Sequence, residues 1–166
     1  MTNTFRHTLS ACLVAAMISL TGCASTPTVT PVTISSVSAQ TPELSTFAKL
    51  ISQAGLNDSL DNSDVTVFAP TNEAFQAVPA ATLDKLAKDP ELLKSVLTYH
   101  VLPGRIQAAS VDGSSQVVTL NGAKLNLSKA GDVVVVDEAM VTTADVAAGK
   151  GLIHVVDRVL MPPVKK

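Results

Sequence analysis

Hydrophobic and polar positions follow three different patterns along this chain, and each predicts a different kind of segment. Leu9 to Leu20 is apolar apart from Ser10 and Ser19, behind a small basic region at Arg6 and His7. This run is too short to span a membrane, which takes about 20 apolar residues, and it suits the core of a secretion signal. From Ala24 to Gln40 there is no charged residue, and Ser, Thr and Pro dominate without a helical or strand period. The expectation there is a tether stiffened by Pro27 and Pro31, reaching about 60 Å when fully extended.

Beyond residue 40 the period becomes helical. Thr41-Pro42-Glu43 offers a cap, a first-turn Pro and an acid that suits the helix dipole. Leu44, Phe47, Ala48, Ile51 and Ala54 then recur on one face, up to Gly55. A short helical turn at Asn57 to Leu60 and a polar turn at Asp61 to Asp64 follow. Val65 to Ala69 is a β-branched and aromatic run ended by Pro70, a short strand. Thr71 or Asn72 caps another short helix, with Phe75 on its inner face, and Thr82 to Lys88 forms the next. Asp89-Pro90-Glu91 repeats the start signal, and Leu92, Leu93, Val96, Leu97 and His100 share one face before Leu102-Pro103-Gly104 stops the helix.

The remainder reads as sheet. Val117 to Leu120 and Ala123 to Leu127 flank Asn121-Gly122, the pair that a type I′ hairpin turn favours. Val133 to Val136 reads as an unbroken buried strand, Met140 to Val146 as another, and Leu152 to Leu160 as the last strand region. Helices first and antiparallel strands second predict an α+β domain, not a doubly wound sheet.

Composition narrows the function. Of 166 residues, 46% are hydrophobic but only 3% aromatic, so the core must be built from Ala, Val and Leu. A net charge of −2 and the lack of spare aromatic rings argue against nucleic acid, which needs cationic surface and stacking platforms. The chain has no G-x-S-x-G elbow, H-E-x-x-H pair or phosphate-binding loop, and Gly149-Lys150-Gly151 reads as a plain turn. The two histidines beyond the signal, His100 and His154, are few for a zinc site of three or four ligands. Neither an enzyme nor a metal or cofactor is expected.

The apolar run closes with Leu20-Thr21-Gly22-Cys23, which resembles the bacterial lipobox, with Cys23 as the lipidated residue. Cys12 falls within the discarded signal, so no disulfide can form inside the mature chain. The expected organisation is a signal peptide over 1–22, lipidated Cys23 and tether over 23–40, a domain over 41–163 and a tail over 164–166. Acyl chains on Cys23 would anchor the chain stably after Sec export. Ala24 stands where an Asp would signal inner-membrane retention, so the outer membrane is expected, facing either the periplasm or the outside.

Three segments of the domain carry a resemblance. Thr66-Val67-Phe68-Ala69-Pro70-Thr71-Asn72-Glu73-Ala74-Phe75, Tyr99-His100-Val101-Leu102-Pro103-Gly104 and Gly151-Leu152-Ile153-His154-Val155-Val156-Asp157-Arg158-Val159-Leu160 resemble, in order and spacing, the signatures of the fasciclin-like (FAS1) family. The signature positions are Thr66, Phe68, Pro70, Thr71, Asn72, Phe75, His154 and Asp157. The resemblance implies a wedge-shaped, twisted antiparallel β-sandwich with several helices along one edge. It also implies adhesion to a cell-surface polysaccharide or protein, with no catalysis. The Asp-Ile integrin motif of animal members has no match here, so integrin binding is not carried over, and the lipid anchor and bacterial signal suggest a microbial envelope partner.

Through the resemblance, Tyr99, His100 and Leu102 become candidate partner-binding residues; the alternative for Tyr99 and His100 is a half-buried helix end in which the histidine caps carbonyls. Asn72 is expected to cap a helix, or to bond a signature histidine. His154, facing opposite to Ile153 and Val155, reads as a hydrogen-bonded core histidine before a metal ligand. Asp157 and Arg158 read as strand-end charges with separate partners. Two other functions compete with adhesion. One is a carrier of a small apolar ligand such as a carotenoid, walled by Ala77 to Leu86 and Met140 to Val146; the other is a structural envelope spacer.

Overall fold

The computed structural model describes residues 32–163, which form six α-helices and seven strands. Two buried runs set the centre of the sheet. β1 (Val65–Pro70) and β7 (Gly151–Val156) pair in parallel, with Val67 opposite Ile153 and Phe68 opposite His154. Every residue of both strands is buried, because side chains that alternate between two faces meet a core on each. Val65, Val67, Ala69, Ile153 and Val155 face one core, shared with Phe47, Ile51, Leu93 and Leu97 of the helices. Phe68 and Val156 face a second, with Tyr99, Leu102, Leu125, Leu127 and Val136.

The sheet runs β2-β1-β7-β6-β5-β4-β3. The other strands are β2 (Val101–Pro103), β3 (Ser114–Val118), β4 (Lys124–Ala130), β5 (Val133–Val136) and β6 (Ala139–Ala148). Every pairing except β1 with β7 is antiparallel. The two ends of this order meet, since the Leu120 amide donates to the Val101 carbonyl at 2.8 Å. The sheet therefore curls around the second core while the helices cover the first. The class is α+β, as the sequence predicts, but its first strand lies among the helices and pairs with its last.

Two strand expectations change. The β3–β4 connection is not a type I′ turn, which needs positive φ at both central residues. Gly122 alone has positive φ, 82°, and the connection is wider, with the Gly122 amide donating to Thr119 O at 2.8 Å. That shape presents the Leu120 amide to β2. β5 is half-buried rather than unbroken: Val134 and Val136 point inward, while Val133 is 41% exposed.

The larger correction falls on the tether. Residues 34–40 form helix α1 (Ile34–Gln40), whose start is a reciprocal capping box. The Ser36 amide donates to the Thr33 hydroxyl at 3.2 Å, and the Thr33 amide to the Ser36 hydroxyl at 2.8 Å. Ile34 is fully buried in the first core, and Asp61 accepts the Ser35 amide at 2.9 Å. The close approach needs glycine opposite, for a Cβ on Gly151 would lie 2.7 Å from Ile34 Cδ1 and equally near Val65 O. Thr41 caps no helix with its side chain; its hydroxyl donates to Val37 O at 2.8 Å and closes α1. A 3₁₀ turn at Pro42–Leu44 leads into α2 (Ser45–Gln53). Ser38, on the buried side of α1, has a hydroxyl with no partner. Ser38→Ala removes that unpaired group and is expected to raise stability by about 1 kcal/mol, read as a higher melting temperature.

Candidate functional site

The site begins with a helix whose ends are both fixed. α6 (Pro90–Tyr99) starts at Asp89, whose carboxylate accepts the Glu91 and Leu92 amides at 3.1 Å. It ends at Tyr99 and His100, which are 2% and 1% exposed. The Tyr99 ring joins the second core, and its hydroxyl donates to Asp137 Oδ2 at 2.7 Å. Asp137 sits at the β5–β6 turn with φ of 51°, a conformation that Asp and Asn tolerate better than most residues. Its Oδ1 accepts both the backbone amide and the side-chain Nδ2 of Asn126 at 3.0 Å, and its own amide donates to Asn126 O at 2.8 Å. One carboxylate thus locks α6, β4 and the β5–β6 turn together. Burial raises the Tyr99 phenol well above its ordinary range, and the bond to the Asp137 carboxylate and its charge raise it further.

His100 fastens the other side. Its Nδ1 donates to Val96 O at 2.8 Å, and its Nε2 accepts the Leu160 amide at 3.0 Å. This pairing requires the neutral imidazole with its proton on Nδ1. Burial pushes the pKa down from 6.5 to about 4, against the opposing pull of the Val96 bond. Leu102 is fully buried in the second core. His100 and Leu102 are therefore closed off from the surface, while Tyr99 reaches it only at the floor of a cavity. They are buried rather than half-buried, because the sheet curls over the end of α6, and they act by placing the residues above them.

Those residues form an open cavity of ≈ 580 Å³ over the Tyr99–Asp137 lock, lined among others by Lys124, Asp137, Glu138, Arg158, Leu160 and Met161. A second open cavity of ≈ 590 Å³ lies between Pro42, Glu43, Asn72, Glu73, Thr142 and Asp157. An apolar gap beside Phe68 and His154 measures only ≈ 10 Å³, room for about one water. None of these three cavities is walled by both Ala77 to Leu86 and Met140 to Val146.

The remaining signature residues are fastenings. Thr66 donates its hydroxyl to Gly104 O and accepts the Ile106 amide, each at 2.8 Å. His154 stacks on Phe68 with ring centres 5.5 Å apart; its Nε2 lies 2.9 Å from Ile106 O, and its Nδ1 accepts the Asp145 amide at 3.2 Å. Asp145, at φ 57° in the bulged β6, accepts the Ala108 amide at 3.0 Å. Three side chains thereby pin residues 104–108, and both nitrogens of His154 are occupied. Thr71, not Asn72, caps α4 (Asn72–Gln76), accepting the Ala74 amide at 3.2 Å. Asn72 caps a different helix: its Oδ1 accepts the Thr46 amide at 3.0 Å at the start of α2, and its Nδ2 donates to Pro42 O at 2.9 Å. It bonds no histidine. Phe75 is buried in the first core, and Pro70 ends β1. Asp157 accepts the Met140 amide at 2.7 Å, while Arg158 stands exposed in the groove wall. The lipobox residues Leu20, Thr21, Gly22 and Cys23 lie outside the described residues.

Sequence reasoning missed Asp137, Asn126 and Asp145. Asp137 is an acid in a turn and Asn126 and Asp145 are polar residues within strands, all common features; the partners that give them meaning lie 9 to 38 positions away.

A curled, mostly antiparallel sheet, helices over its other core and a buried Tyr-His helix end define a fasciclin-type domain. The chain belongs to the Fasciclin domain family, whose model matches residues 42–162. It is 38% identical over 137 residues to the cell surface glycolipoprotein MPT83 of Mycobacterium tuberculosis, covering 80% of this chain and 61% of that protein. It is 42% identical over 135 residues to protein sll1483 of Synechocystis sp., covering 80% and 74%. Against the immunogenic protein MPT70 of Mycobacterium tuberculosis the identity is 40% over 127 residues, covering 74% and 65%. The chain thus spans under two thirds of the length of MPT83 and MPT70. Among solved structures, a FAS1 domain pair from the insect cell adhesion molecule Fasciclin I matches with TM-score 0.58 and 25% identity, covering 74% of this chain and 46% of that one.

Proposed function

We propose that this protein is a binding module of a bacterial cell envelope, attached by acylation of Cys23 and engaging a surface polysaccharide or protein without catalysis. The observation that carries the reading is the groove over the Tyr99–Asp137 lock, a concave surface held rigid from three elements. Rigid placement lowers the ordering cost of binding. The relative named a cell surface glycolipoprotein supports both the location and the anchor. Among the described residues no helix is long and apolar enough to cross a membrane; the proposed attachment is the lipobox, with the outer membrane as destination. Among the described residues catalysis has little to work with, since both oxygens of Asp137 are engaged and His100 and His154 are bonded through both nitrogens. Many anchored copies would multiply a modest contact into adhesion. An apolar-ligand carrier would need walls from Ala77 to Leu86 and Met140 to Val146, which none of the three cavities described above combines, and a spacer would leave the groove without a role.

Cys23→Ser is expected to abolish acyl labelling and release the protein from membranes; persistent labelling would overturn the anchor. The released protein is then titrated against envelope polymers and whole cells of its own species. Saturable binding is expected, weakened by Met161→Glu in the groove with an unchanged melting temperature. Tyr99→Phe should lower stability by about 1 kcal/mol through the lost hydrogen bond and free Asp137 in the groove wall. Failure to saturate on any envelope component would overturn the binding-module reading.

A further inference from the structure

We infer that the groove over Tyr99 binds a carboxylate-bearing saccharide, with Arg158 and Lys124 receiving the carboxylate. This inference rests on the binding-module reading and adds the chemical class of ligand. Lys124 opens β4 and Arg158 follows β7, strands separated in the sheet by β5 and β6, yet both side chains line one cavity. Both are exposed, and among the described residues neither side chain has a hydrogen-bond or ion-pair partner, although the Lys124 carbonyl accepts the Tyr99 hydroxyl at 3.2 Å.

The carboxylate beside them does not fill that role. Asp137 spends its oxygens on the Tyr99 hydroxyl and the two Asn126 donors. In a chain with 14 acids and 12 bases, two unpaired cations around one concavity form a receptor for an anion. The guanidinium fork matches a planar carboxylate through two parallel bonds, and the lysine adds a mobile point charge.

Glu138 indicates the rest of the ligand. It lies on the same rim, exposed and without a donor among the described residues. A sugar supplies vicinal hydroxyls to such an acceptor while its carboxylate meets the cations, which an acidic peptide side chain does not. Met161, 42% exposed, and the partly buried Val159 give apolar area for the C–H face of a ring.

The test is calorimetric titration of the full chain in its Cys23→Ser form with an oligogalacturonate. Comparison ligands are the same oligomer with its carboxyls reduced to alcohols, and poly-glutamate. The oligogalacturonate is expected to bind saturably, more weakly as salt rises. Lys124→Ala with Arg158→Ala should lower its affinity at least about tenfold without lowering the melting temperature, since neither side chain holds the fold together. Arg158→Lys should fall between the two. Equal binding of the reduced oligomer overturns the carboxylate, and equal binding of poly-glutamate overturns the saccharide. Undiminished binding by the double variant overturns the groove as the site. Absence of oligogalacturonate binding overturns the inference as a whole, while the envelope titration decides the binding-module reading separately.

Discussion

A chain trimmed to begin at Thr41 is expected to melt far below one that begins at Val32. Composition places the domain boundary at residue 41, and the Fasciclin family match begins at residue 42, yet α1 completes the first core. Ile34 is fully buried there against the helices and the centre of the sheet. Its removal uncovers apolar surface on those neighbours and leaves Gly151 facing the vacated space. Ile34→Ala alone should cost about 2–5 kcal/mol, the usual range for truncating a buried aliphatic side chain. For a domain of this size that is a fall on the order of 10 °C in melting temperature. Loss of the whole segment also strips Asp61 of the Ser35 amide and should cost more. Thermal and urea denaturation of the two lengths and of Ile34→Ala check this. Coincident transitions would mean that α1 rests on the domain without stabilising it.

Acid should weaken the domain through His100, over a window set by two pKa values. Folded, the imidazole is held neutral down to pH about 4; unfolded, it titrates at its ordinary 6.5. Between those values the unfolded chain binds a proton that the folded one refuses, so stability rises with pH across the window. The contribution is fully present above pH 6.5 and lost as pH falls through about 4. A shift of this size corresponds to about 3 kcal/mol at 1.36 kcal/mol per pKa unit. Protonating Nε2 also turns the acceptor of the Leu160 amide into a donor, so the segment that walls the groove should loosen first. The check is the urea midpoint of the native chain and of His100→Gln across pH 4 to 7. The variant should start lower at neutral pH and lose much of the slope. Parallel profiles would show that His100 is not the proton-linked group.

Much of the fold was legible because local rules and tertiary packing agreed. Asp89-Pro90-Glu91 announces α6, and the structure places the Asp89 cap there. The apolar run after Asp64 became β1, and Leu93, Val96 and Leu97 turned one helix face to the core. Where reading failed, local and global signals differed. The Ser-rich stretch before residue 41 looks like a tether because one buried Ile and a Thr-Ser capping box are faint against its composition. Asn121-Gly122 suggests a tight hairpin, but the curl of the sheet brings Leu120 to β2 and favours a wider connection. Asn72 offers its cap to α2, across 26 positions, where a local reading assigns it to the helix it begins.

By itself, the sequence determined the family, the α+β class and the order of most elements, since each is written in contiguous residues or in local periods. Only the tertiary structure decided which side chains meet. Tyr99 finds Asp137 across 38 positions and His100 finds Leu160 across 60, and β1 pairs in parallel with β7, the last strand in the chain. Such pairings depend on how the curled sheet closes over the end of α6. That closure is set by the summed burial of two cores, which no local period encodes. It turns the motif residues inward as fastenings and leaves Lys124, Glu138, Arg158 and Met161 at the surface.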